Sequence, residues 1–408
     1  MVPQPTLIAF TAALAGLATA SPVKSNIGTK AGSFTVHQVR NNAFKPHGAF
    51  QLAKAYNKYG ITMPEGLAKV VAKHNAARTA KRSSGSVNNK PEDQYDNIYL
   101  APVAIGTPPK TLNLEFDSGS ADSWVFSTRT YKAEVNGQTL YNPDKSSTAK
   151  AVDGASWNII YGDGSSASGT VYHDVVNIGG VSFAAQGVQS ADQVSDAFTH
   201  DTNSSGLLGL AFSDINTVSP NKEKTFFENV LSDLDVKAWT ADLKYNAPGT
   251  YDFGKIDKSK YNGDIAYVDV DKSQGFWNFT ADINGQPVPG IADTGTAELL
   301  LPDKVLEDYY SKVQGAIVDI TFGGWVFPCD AKLPDFEFHP GTATITIPGK
   351  YLNFLSVDLF DKHCFGGLQS VGDFRGGAIY GDIALKAAFV VFDQSQGAPR
   401  LGWASKNL

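Results

Sequence analysis

The sequence predicts an all-β protein made of two similar halves. Past residue 91, short runs of β-branched and aromatic residues alternate with Gly, Asn and Asp, which is typical of strands joined by tight turns. The tetrapeptide DSGS beginning at Asp117 returns 176 residues later as DTGT beginning at Asp293. A run with a central glycine follows each copy, 92 residues on at Gly209 and 88 residues on at Gly381. Two homologous halves related by a pseudo-twofold axis would produce this repetition, with the two Asp loops meeting on the axis.

Individual elements follow from local patterns. Residues 111–116 alternate between apolar and polar side chains and predict a strand. Residues 169–178 and 181–188 flank a Gly-Gly pair and predict a hairpin. Two helices are expected as exceptions. One covers 222–234, with apolar side chains on one face, and the other covers 302–313, which begins with Pro and Asp.

The composition excludes several classes of protein. With 42% hydrophobic and 18% charged residues, the chain is too apolar for general disorder. Its net charge of −7 argues against a nucleic-acid partner, because such binding requires Lys and Arg to neutralise phosphates. Two cysteines are too few for a disulfide-dense scaffold or a Cys-based zinc module.

Residues 1–20 are expected to be a signal peptide. Residues 7–20 form one uncharged, mostly apolar run that ends in Ala-Thr-Ala, which fits an A-x-A cleavage site. The run is too short to span a bilayer, and no other segment of the sequence approaches the ~18 apolar residues that a span needs. The sequence therefore predicts a secreted, extracellular protein with no membrane partner.

Residues 21–82 are expected to be a basic pro-segment. They carry eleven Lys or Arg side chains and one acid, a charge of +10, whereas residues 83–408 carry −17. Helical patterning covers 51–59 and 65–78, and the segment ends in a dibasic pair that makes Arg82 the expected processing site. A basic N-terminal arm that stays attached is the alternative. The preceding signal and the opposite charges of the two parts favour removal.

The repeated Asp loops indicate acid–base chemistry. One copy alone would be an ordinary turn, but two matched copies are expected to bring the carboxyl groups of Asp117 and Asp293 together. Two adjacent carboxyl groups cannot both ionise easily, because their negative charges repel each other. The pair therefore holds one shared proton over an acidic pH range. One carboxylate can then deprotonate a water while its protonated partner donates a hydrogen bond to the carbonyl under attack. This reaction requires no metal and no cofactor.

The hydroxyl residues of the two loops are expected to support the pair. Ser120 and Thr296 can each donate a hydrogen bond to the outer oxygen of the nearby Asp. Ser118 and Thr294 can tie each loop to the backbone of the other and keep the carboxyl groups coplanar. Without the Asp pair, all four would be interpreted as ordinary turn residues.

Seven short motifs accompany these loops between residues 95 and 408. They are FDSGSAD at 116–122, YGDGS at 161–165, GLLGLAF at 206–212, YDFG at 251–254, QGFW at 274–277, GIADTGT at 290–296 and VVFD at 390–393. In this order they resemble the pepsin-like aspartic endopeptidases, most closely the secreted fungal penicillopepsin/aspergillopepsin type. The resemblance implies an all-β bilobal fold with pseudo-twofold symmetry and a central cleft. The lobes would be 83–265, with a hairpin flap, and 266–408.

The family resemblance also implies an activity. It indicates a monomeric acid endopeptidase, made as an inactive zymogen, that cleaves protein and peptide substrates between bulky apolar residues. The pro-segment at 21–82 is called the leader below. Within it, Lys58 and Tyr59 resemble the Lys-Tyr pair with which family pro-segments fill the cleft, and the Lys of that pair bridges the two aspartates. Otherwise, Lys58 is a solvated base on a helix face.

The flap would be built from residues 157–172. Tyr161 would cover the substrate, with its hydroxyl reaching toward Trp124, and the tip would include Gly162 and Ser165. Asp163 at the tip resembles fungal members that accept Lys at P1, although Asp is also a common turn residue.

Five further residues complete the predicted sites. Phe198 aligns with an aromatic wall of the P1 pocket, but core packing explains it nearly as well. Cys329 and Cys364 are expected to pair, as in the family, with a catalytic thiol as a remote alternative. Asn203 and Asn278 begin glycosylation sequons.

Two positions depart from the family pattern. Ser118 stands where Thr is commoner, and it keeps the hydroxyl. Glu298 stands where close relatives have an apolar residue. Its carboxylate either points to solvent or perturbs the proton sharing of the Asp pair, and the sequence leaves both alternatives open.

Other functions fit less well. Glycosidases also use two carboxyl groups, but their sites need no matched hydroxyl-Gly flanks. The sequence contains neither the G-x-S-x-G of serine hydrolases nor the H-E-x-x-H of zinc peptidases. A catalytically dead relative serving as a binding or inhibitor protein would be expected to have lost one Asp, and both are present.

Overall fold

The computed structural model describes residues 32–41, 47–81, 99–160, 166–199, 201–357 and 362–408. The predicted signal peptide, the processing site at Arg82 and the flap tip at 161–165, with Tyr161, Gly162, Asp163 and Ser165, lie outside these ranges. The predicted lobe boundary at 265/266 falls just before a strand.

Strands are the predominant regular structure of the described residues. In chain order they are β1 Phe34–His37, β2 Val39–Arg40, β3 Tyr99–Ile105, β4 Lys110–Asp117, β5 Ser123–Phe126, β6 Lys150–Ile160, β7 Ser166–Ile178, β8 Val181–Val194, β9 Gly206–Gly209, β10 Ala238–Lys244, β11 Ala247–Phe253, β12 Ala266–Asp269, β13 Asn278–Ile283, β14 Gln286–Ala292, β15 Leu299–Leu301, β16 Ile317–Asp319, β17 Gly324–Pro328, β18 Phe336–Pro340, β19 Ile345–Ile347, β20 Asn353–Ser356, β21 His363–Gly366, β22 Leu368–Ser370, β23 Ala378–Tyr380, β24 Ala388–Gln396 and β25 Ala398–Ser405.

The α-helices are short outside the leader. They are α1 Gly48–Lys58, α2 Glu65–Lys81, α3 Asp196–Thr199, α4 Phe226–Val230, α5 Asp303–Tyr310, α6 Gly349–Leu352 and α7 Asp382–Leu385.

The two halves repeat one pairing pattern around their Asp loops. In the first half, β4 lies parallel to β9, β5 is antiparallel to β9, and β5 is parallel to β8. In the second half, β14 lies parallel to β23, β15 is antiparallel to β23, and β15 is parallel to β22. The predicted duplication is therefore confirmed as the same topology used twice.

Four sheets hold these strands together. The first half and the leader strand β2 form an eight-stranded sheet, β2-β3-β4-β9-β5-β8-β7-β6, which the extra pairing of β3 with β7 curls toward a barrel. The second half contributes a seven-stranded sheet, β19-β18-β13-β14-β23-β15-β22, and a four-stranded sheet, β16-β17-β21-β20. A six-stranded sheet, β1-β11-β10-β24-β25-β12, takes strands from both halves and from the leader. The all-β fold class is confirmed.

One apolar core runs through both halves beneath the Asp loops. Trp239 stacks on Phe392 with ring centroids 3.7 Å apart, which joins a strand of the first half to one of the second. Trp277 packs against Phe392 and donates its ring N–H to the carbonyl of Leu210 at 2.9 Å. Burial of such large aromatic groups contributes strongly to the stability of this shared core.

The leader packs on both halves. Leu52 and Tyr56 of α1 are buried in one cluster with Leu300, Phe365 and Ile379. Strand β1 adds to the edge of the shared sheet beside β11. The predicted leader helices are present, as α1 and α2. Helix α1 begins three residues before the predicted span and ends one residue before its end, and α2 continues three residues past its predicted end.

The prediction of a helix over 222–234 is largely wrong. The side chain of Thr225 accepts from the backbone N–H of Glu228, and Glu228 accepts from the N–H of Thr225, so this capping box starts α4 at Phe226. After Val230 the chain tightens into a 3₁₀ turn over Leu231–Asp233. The helix predicted over 302–313 is present as the shorter α5. No helix in the described ranges is long and apolar enough to cross a bilayer.

Candidate active site

Each Asp loop begins where a buried strand ends beside a parallel partner. Asp117 is the last residue of β4, and its carbonyl accepts from Leu210 N–H at 2.8 Å. Asp293 follows β14 directly, and its N–H donates to the Tyr380 carbonyl at 3.0 Å. The strand ends therefore fix both loops from the core side.

The two loops are hydrogen-bonded to each other through Ser118 and Thr294. Ser118 Oγ donates to the carbonyl of Ala292 at 2.9 Å and accepts from Thr294 N–H at 2.9 Å. Thr294 Oγ1 donates to the carbonyl of Phe116 at 2.7 Å and accepts from Ser118 N–H at 3.0 Å. These four bonds are reciprocal, as expected for loops related by a twofold axis.

Each carboxyl group receives the same two donors from its own loop. Asp117 accepts from Gly119 N–H at 2.9 Å and from Ser120 Oγ at 2.6 Å. Asp293 accepts from Gly295 N–H at 2.9 Å and from Thr296 Oγ1 at 2.5 Å.

Both loops require glycine because the carboxyl groups lie so close together. A Cβ on Gly119 would overlap a carboxyl oxygen of Asp293, and a Cβ on Gly295 would overlap the carboxyl group of Asp117. The two carboxyl groups are buried, with Asp117 2% and Asp293 0% exposed. The loops thus place two buried acids next to each other.

Lys58, the last residue of α1, lies between the carboxyl groups. Its Nζ is 2.5 Å from Asp117 Oδ1 and 2.8 Å from Asp293 Oδ1, and the side chain is 6% exposed. The Tyr59 hydroxyl donates to Asp293 Oδ2 at 2.8 Å. The ring of Tyr59 lies between Phe276 and Phe374, at 5.4 Å from each ring centroid.

The charges of this group are strongly coupled. Burial raises the pKa of Asp117 to about 6, and the Lys58 ammonium offsets that effect only in part. Burial also opposes ionisation of Asp293, but Lys58 and the Thr296 hydroxyl outweigh it and hold the pKa of Asp293 below its ordinary value. Burial disfavours the ammonium as well, yet the two carboxylates keep the pKa of Lys58 above its ordinary value. The pKa values of the two chemically identical acids are therefore shifted in opposite directions.

Comparison with known proteins agrees with this geometry. A family model described as eukaryotic aspartyl protease matches residues 98–406. The chain belongs to this family. The protein is accordingly an aspartic endopeptidase, as the paired motifs predict.

Curated relatives of this aspartic endopeptidase cover nearly the whole chain. Endothiapepsin of Cryphonectria parasitica is 48% identical over 97% of this chain and 98% of its own length. Aspergillopepsin-1 of Aspergillus oryzae is 47% identical over 98% of this chain and 97% of its own. Penicillopepsin-1 of Penicillium rubens is 50% identical over 87% of this chain and 86% of its own.

The structure also describes predicted site residues outside the two Asp loops. Trp124 is buried and packs edge to face against the half-buried Phe198, with centroids 5.3 Å apart. Cys329 and Cys364 form the predicted disulfide, which joins the end of β17 to β21. Asn203 is exposed in a turn, whereas Asn278 is half-buried at the start of β13.

Glu298 does not point to solvent, because it is 0% exposed. That excludes one of the two alternatives left open by the sequence. Within the described ranges, no group of three or more His, Cys, Asp and Glu side chains is arranged to hold a metal ion.

Two leader contacts were missed by sequence reasoning. Lys54 Nζ contacts both carboxyl oxygens of Glu115, at 2.7 and 2.9 Å. Lys54 lies one helical turn before Lys58, and Glu115 lies two residues before Asp117 on a strand. The distance between the two lysines on the helix therefore matches the distance between the two acids on the strand, and this match could have predicted the contact. Asp373 accepts from both the N–H and the hydroxyl of Thr62, at 2.9 and 2.7 Å, and no local pattern indicates that contact.

Proposed function

We propose that Asp117 and Asp293 are the catalytic pair of a secreted acid endopeptidase made as an inactive precursor. The observation that carries the proposal is the Lys58 ammonium, which contacts both carboxyl groups at 2.5 and 2.8 Å. Two acids close enough to share one cation in the precursor are close enough to share one proton once that cation leaves.

In the mature enzyme a water takes the place of Lys58 between the carboxyl groups. The ionised carboxylate removes a proton from this water, whose oxygen bonds to the peptide carbonyl carbon. The protonated partner donates a hydrogen bond to the carbonyl oxygen as negative charge develops there. A proton then passes to the amide nitrogen, and the C–N bond breaks to give a free acid and a free amine.

The hydroxyl residues keep this pair in position. Ser120 and Thr296 hold the outer oxygens, and the reciprocal bonds of Ser118 and Thr294 fix one loop against the other. These contacts support a dyad whose geometry is set before substrate binds, which avoids reorganisation during the reaction.

The leader inhibits by occupying the site. Lys58 fills the place of the water, and Tyr59 fills an aromatic recess between Phe276 and Phe374. Acid releases the leader because protonation of carboxyl groups weakens its contacts with the acidic body. The +10 charge of residues 21–82 and the −17 charge of the remainder support this electrostatic attachment.

The cleft selects bulky apolar side chains next to the scissile bond. Trp124 and Phe198 would form the wall of the P1 pocket, and the flap around Tyr161 would close over it. The ring N–H of Trp124 has no acceptor within the described ranges, which leaves this donor for the Tyr161 hydroxyl. A carboxylate at Asp163, near Gly162 and Ser165, would allow Lys at P1.

Secretion and maturation complete the proposal. Residues 1–20 direct export, cleavage after Arg82 separates the leader, and the mature enzyme acts as a monomer. Of the two sequons, Asn203 is the better glycan acceptor because it is exposed in a turn, whereas Asn278 is half-buried in a strand.

Acid incubation of the purified precursor tests the function. We expect the wild-type chain to lose its leader and digest a denatured protein at acid pH, and pepstatin to block the digestion. N-terminal sequencing identifies the first mature residue. Binding of the protein substrate without cleavage would instead favour a catalytically dead relative.

A further inference from the structure

Glu298 is a buried acid that the reaction does not use. It lies five residues after Asp293, and a Cβ on Gly381 would overlap the backbone carbonyls of both Thr296 and Glu298. Its backbone therefore packs against Gly381 just beyond the second Asp loop, and its side chain is buried inside the protein. No other residue of the described chain donates a hydrogen bond to either of its carboxyl oxygens.

The first half shows how a buried acid at this position can be compensated. Asp122 lies five residues after Asp117 and is 3% exposed. Its Oδ1 accepts from Gln189 at 2.7 Å, from Asn216 at 3.2 Å, and from the N–H and hydroxyl of Thr217 at 3.0 and 2.8 Å. The second half provides Glu298 with none of these donors, although its topology is the same.

The nearby charges do not compensate Glu298 either. Lys54 of α1 and Asp382 of α7 are the charged groups that act on it in the described chain. The Lys54 ammonium is bonded to Glu115, and Asp382 lies 3.1 Å from the Lys386 ammonium. An ionised carboxylate at this site would therefore be buried without a contacting cation, and without a hydrogen-bond donor from any other described residue, which is unfavourable.

We propose that Glu298 is a pH sensor of the second half, neutral in the folded protein under acidic conditions and destabilising to the fold when it ionises near neutrality. This would confine the folded enzyme to acidic surroundings. The inference goes beyond the proposed function because it concerns stability, so its failure would leave the catalytic assignment of Asp117 and Asp293 intact.

The direction of the effect follows from proton linkage. Burial raises the pKa of Glu298 in the folded protein from 4.5 to about 8. The stability associated with the neutral acid is thus fully present below about pH 4.5 and is lost as the pH rises to about 8, by about tenfold in the folding equilibrium per pH unit. Removal of the leader takes Lys54 away and strengthens the effect.

Urea unfolding of the full chain between pH 5 and 7.5 tests the proposal. All proteins carry Asp117→Asn, so that unfolded molecules are not digested. Glu298→Gln keeps the shape without the charge, and Glu298→Leu provides an apolar replacement should the Gln variant fail to fold. Glu307→Gln is the matched control, because Glu307 is exposed on α5 of the same half.

We expect the folding constant of the parent to fall with pH about tenfold per unit more steeply than that of either Glu298 variant. Glu307→Gln should follow the parent. The parent should also show, at pH 6.5, the infrared carbonyl band of a protonated carboxylic acid that both Glu298 variants lack. Equal pH slopes in the parent and the Glu298 variants, or persistence of that band in Glu298→Leu, would overturn the proposal.

Discussion

Lys58 Nζ lies 2.8 Å from Asp293 Oδ1, although 235 residues separate the two in the chain. The same ammonium contacts Asp117, so one leader side chain meets both halves of the body at their pseudo-twofold axis. A substrate that is to contact the two acids needs the space that Lys58 fills. Under the proposed function, the leader and the site must therefore separate before catalysis.

Replacing Lys58 should weaken the leader's hold on the site. In Lys58→Met the two buried carboxyl groups lose their shared cation, and breaking a buried ion pair costs about 3 kcal/mol or more, or at least about 100-fold. We expect the initial rate of peptide cleavage by the uncleaved precursor at pH 5 to rise by about that factor. A gel taken at the same time checks that the leader is still covalently attached.

Lys69→Met is the matched control for this experiment. Lys69 lies on α2 of the same leader, but it is 73% exposed, and its one ion pair within the described ranges is with Glu65 on its own helix. Its replacement should leave the rate of peptide cleavage by the uncleaved precursor unchanged. Equal cleavage rates for the Lys58→Met and wild-type precursors would argue against a blocking role for Lys58.

Removing either acid should abolish cleavage. Asp117→Asn and Asp293→Asn each take away a group that must gain or lose a proton, and general acid–base catalysis contributes about 10²–10⁴-fold. We expect kcat for a peptide with two large apolar residues at the scissile bond to fall by at least about 10³-fold, after the leader has been removed by an added dibasic-cleaving protease. Asp308→Asn, on the exposed face of α5, should keep full activity. Substantial turnover by either dyad variant would exclude the shared-proton mechanism.

Asp373 should act as an acid-sensitive latch on the leader. The hydroxyl and the backbone N–H of Thr62 both donate to its carboxylate and lower the pKa of Asp373 in the precursor. A depressed pKa means that this contact is fully present above the ordinary value of 3.8 and is lost as the pH falls through the lowered one.

The rate of leader release tests the role of the contact between Asp373 and Thr62. Asp373→Asn should speed leader release at pH 5 by about twofold, because one charge-assisted contact at an exposed site is weakened. Thr62→Ser keeps both donors and should behave as the wild type. A faster release in Asp373→Asn that persists unchanged in the Thr62→Ala background would place the effect elsewhere.

Much of the fold could be predicted because the strands carry local signals. The hairpin of β7 and β8 turns at the glycine pair at 179–180, as its sequence indicates, and both glycines have positive φ. The helix over 222–234 could not be predicted correctly from periodicity. Phe226, Val230 and Leu234 recur at helical spacing because all three are buried in the core, but the capping box and the following 3₁₀ turn limit the helix to five residues.

The site was predictable only where the duplication revealed it. Two matched Asp loops imply a meeting point, so the proximity of Asp117 and Asp293 follows from repetition alone. The contact of Asp373 with Thr62 spans 311 residues, and no local sequence pattern indicates it. The burial of Glu298, directly before β15, is likewise a tertiary property that no local pattern indicates.

The last prediction concerns the charge at the flap tip. If Asp163 faces the P1 pocket, its carboxylate can pair with the ammonium of a substrate Lys, whereas a Phe substrate gains nothing from that charge. Asp163→Ser keeps a small turn residue and removes the charge, so we expect kcat/KM for a P1 Lys peptide to fall about tenfold or more while that for the matching P1 Phe peptide stays within about twofold. Because both peptides share every other residue, a change in flap mobility would lower the two values together. Equal losses on the Lys and Phe peptides would therefore refute a pocket charge and leave Asp163 as a turn residue.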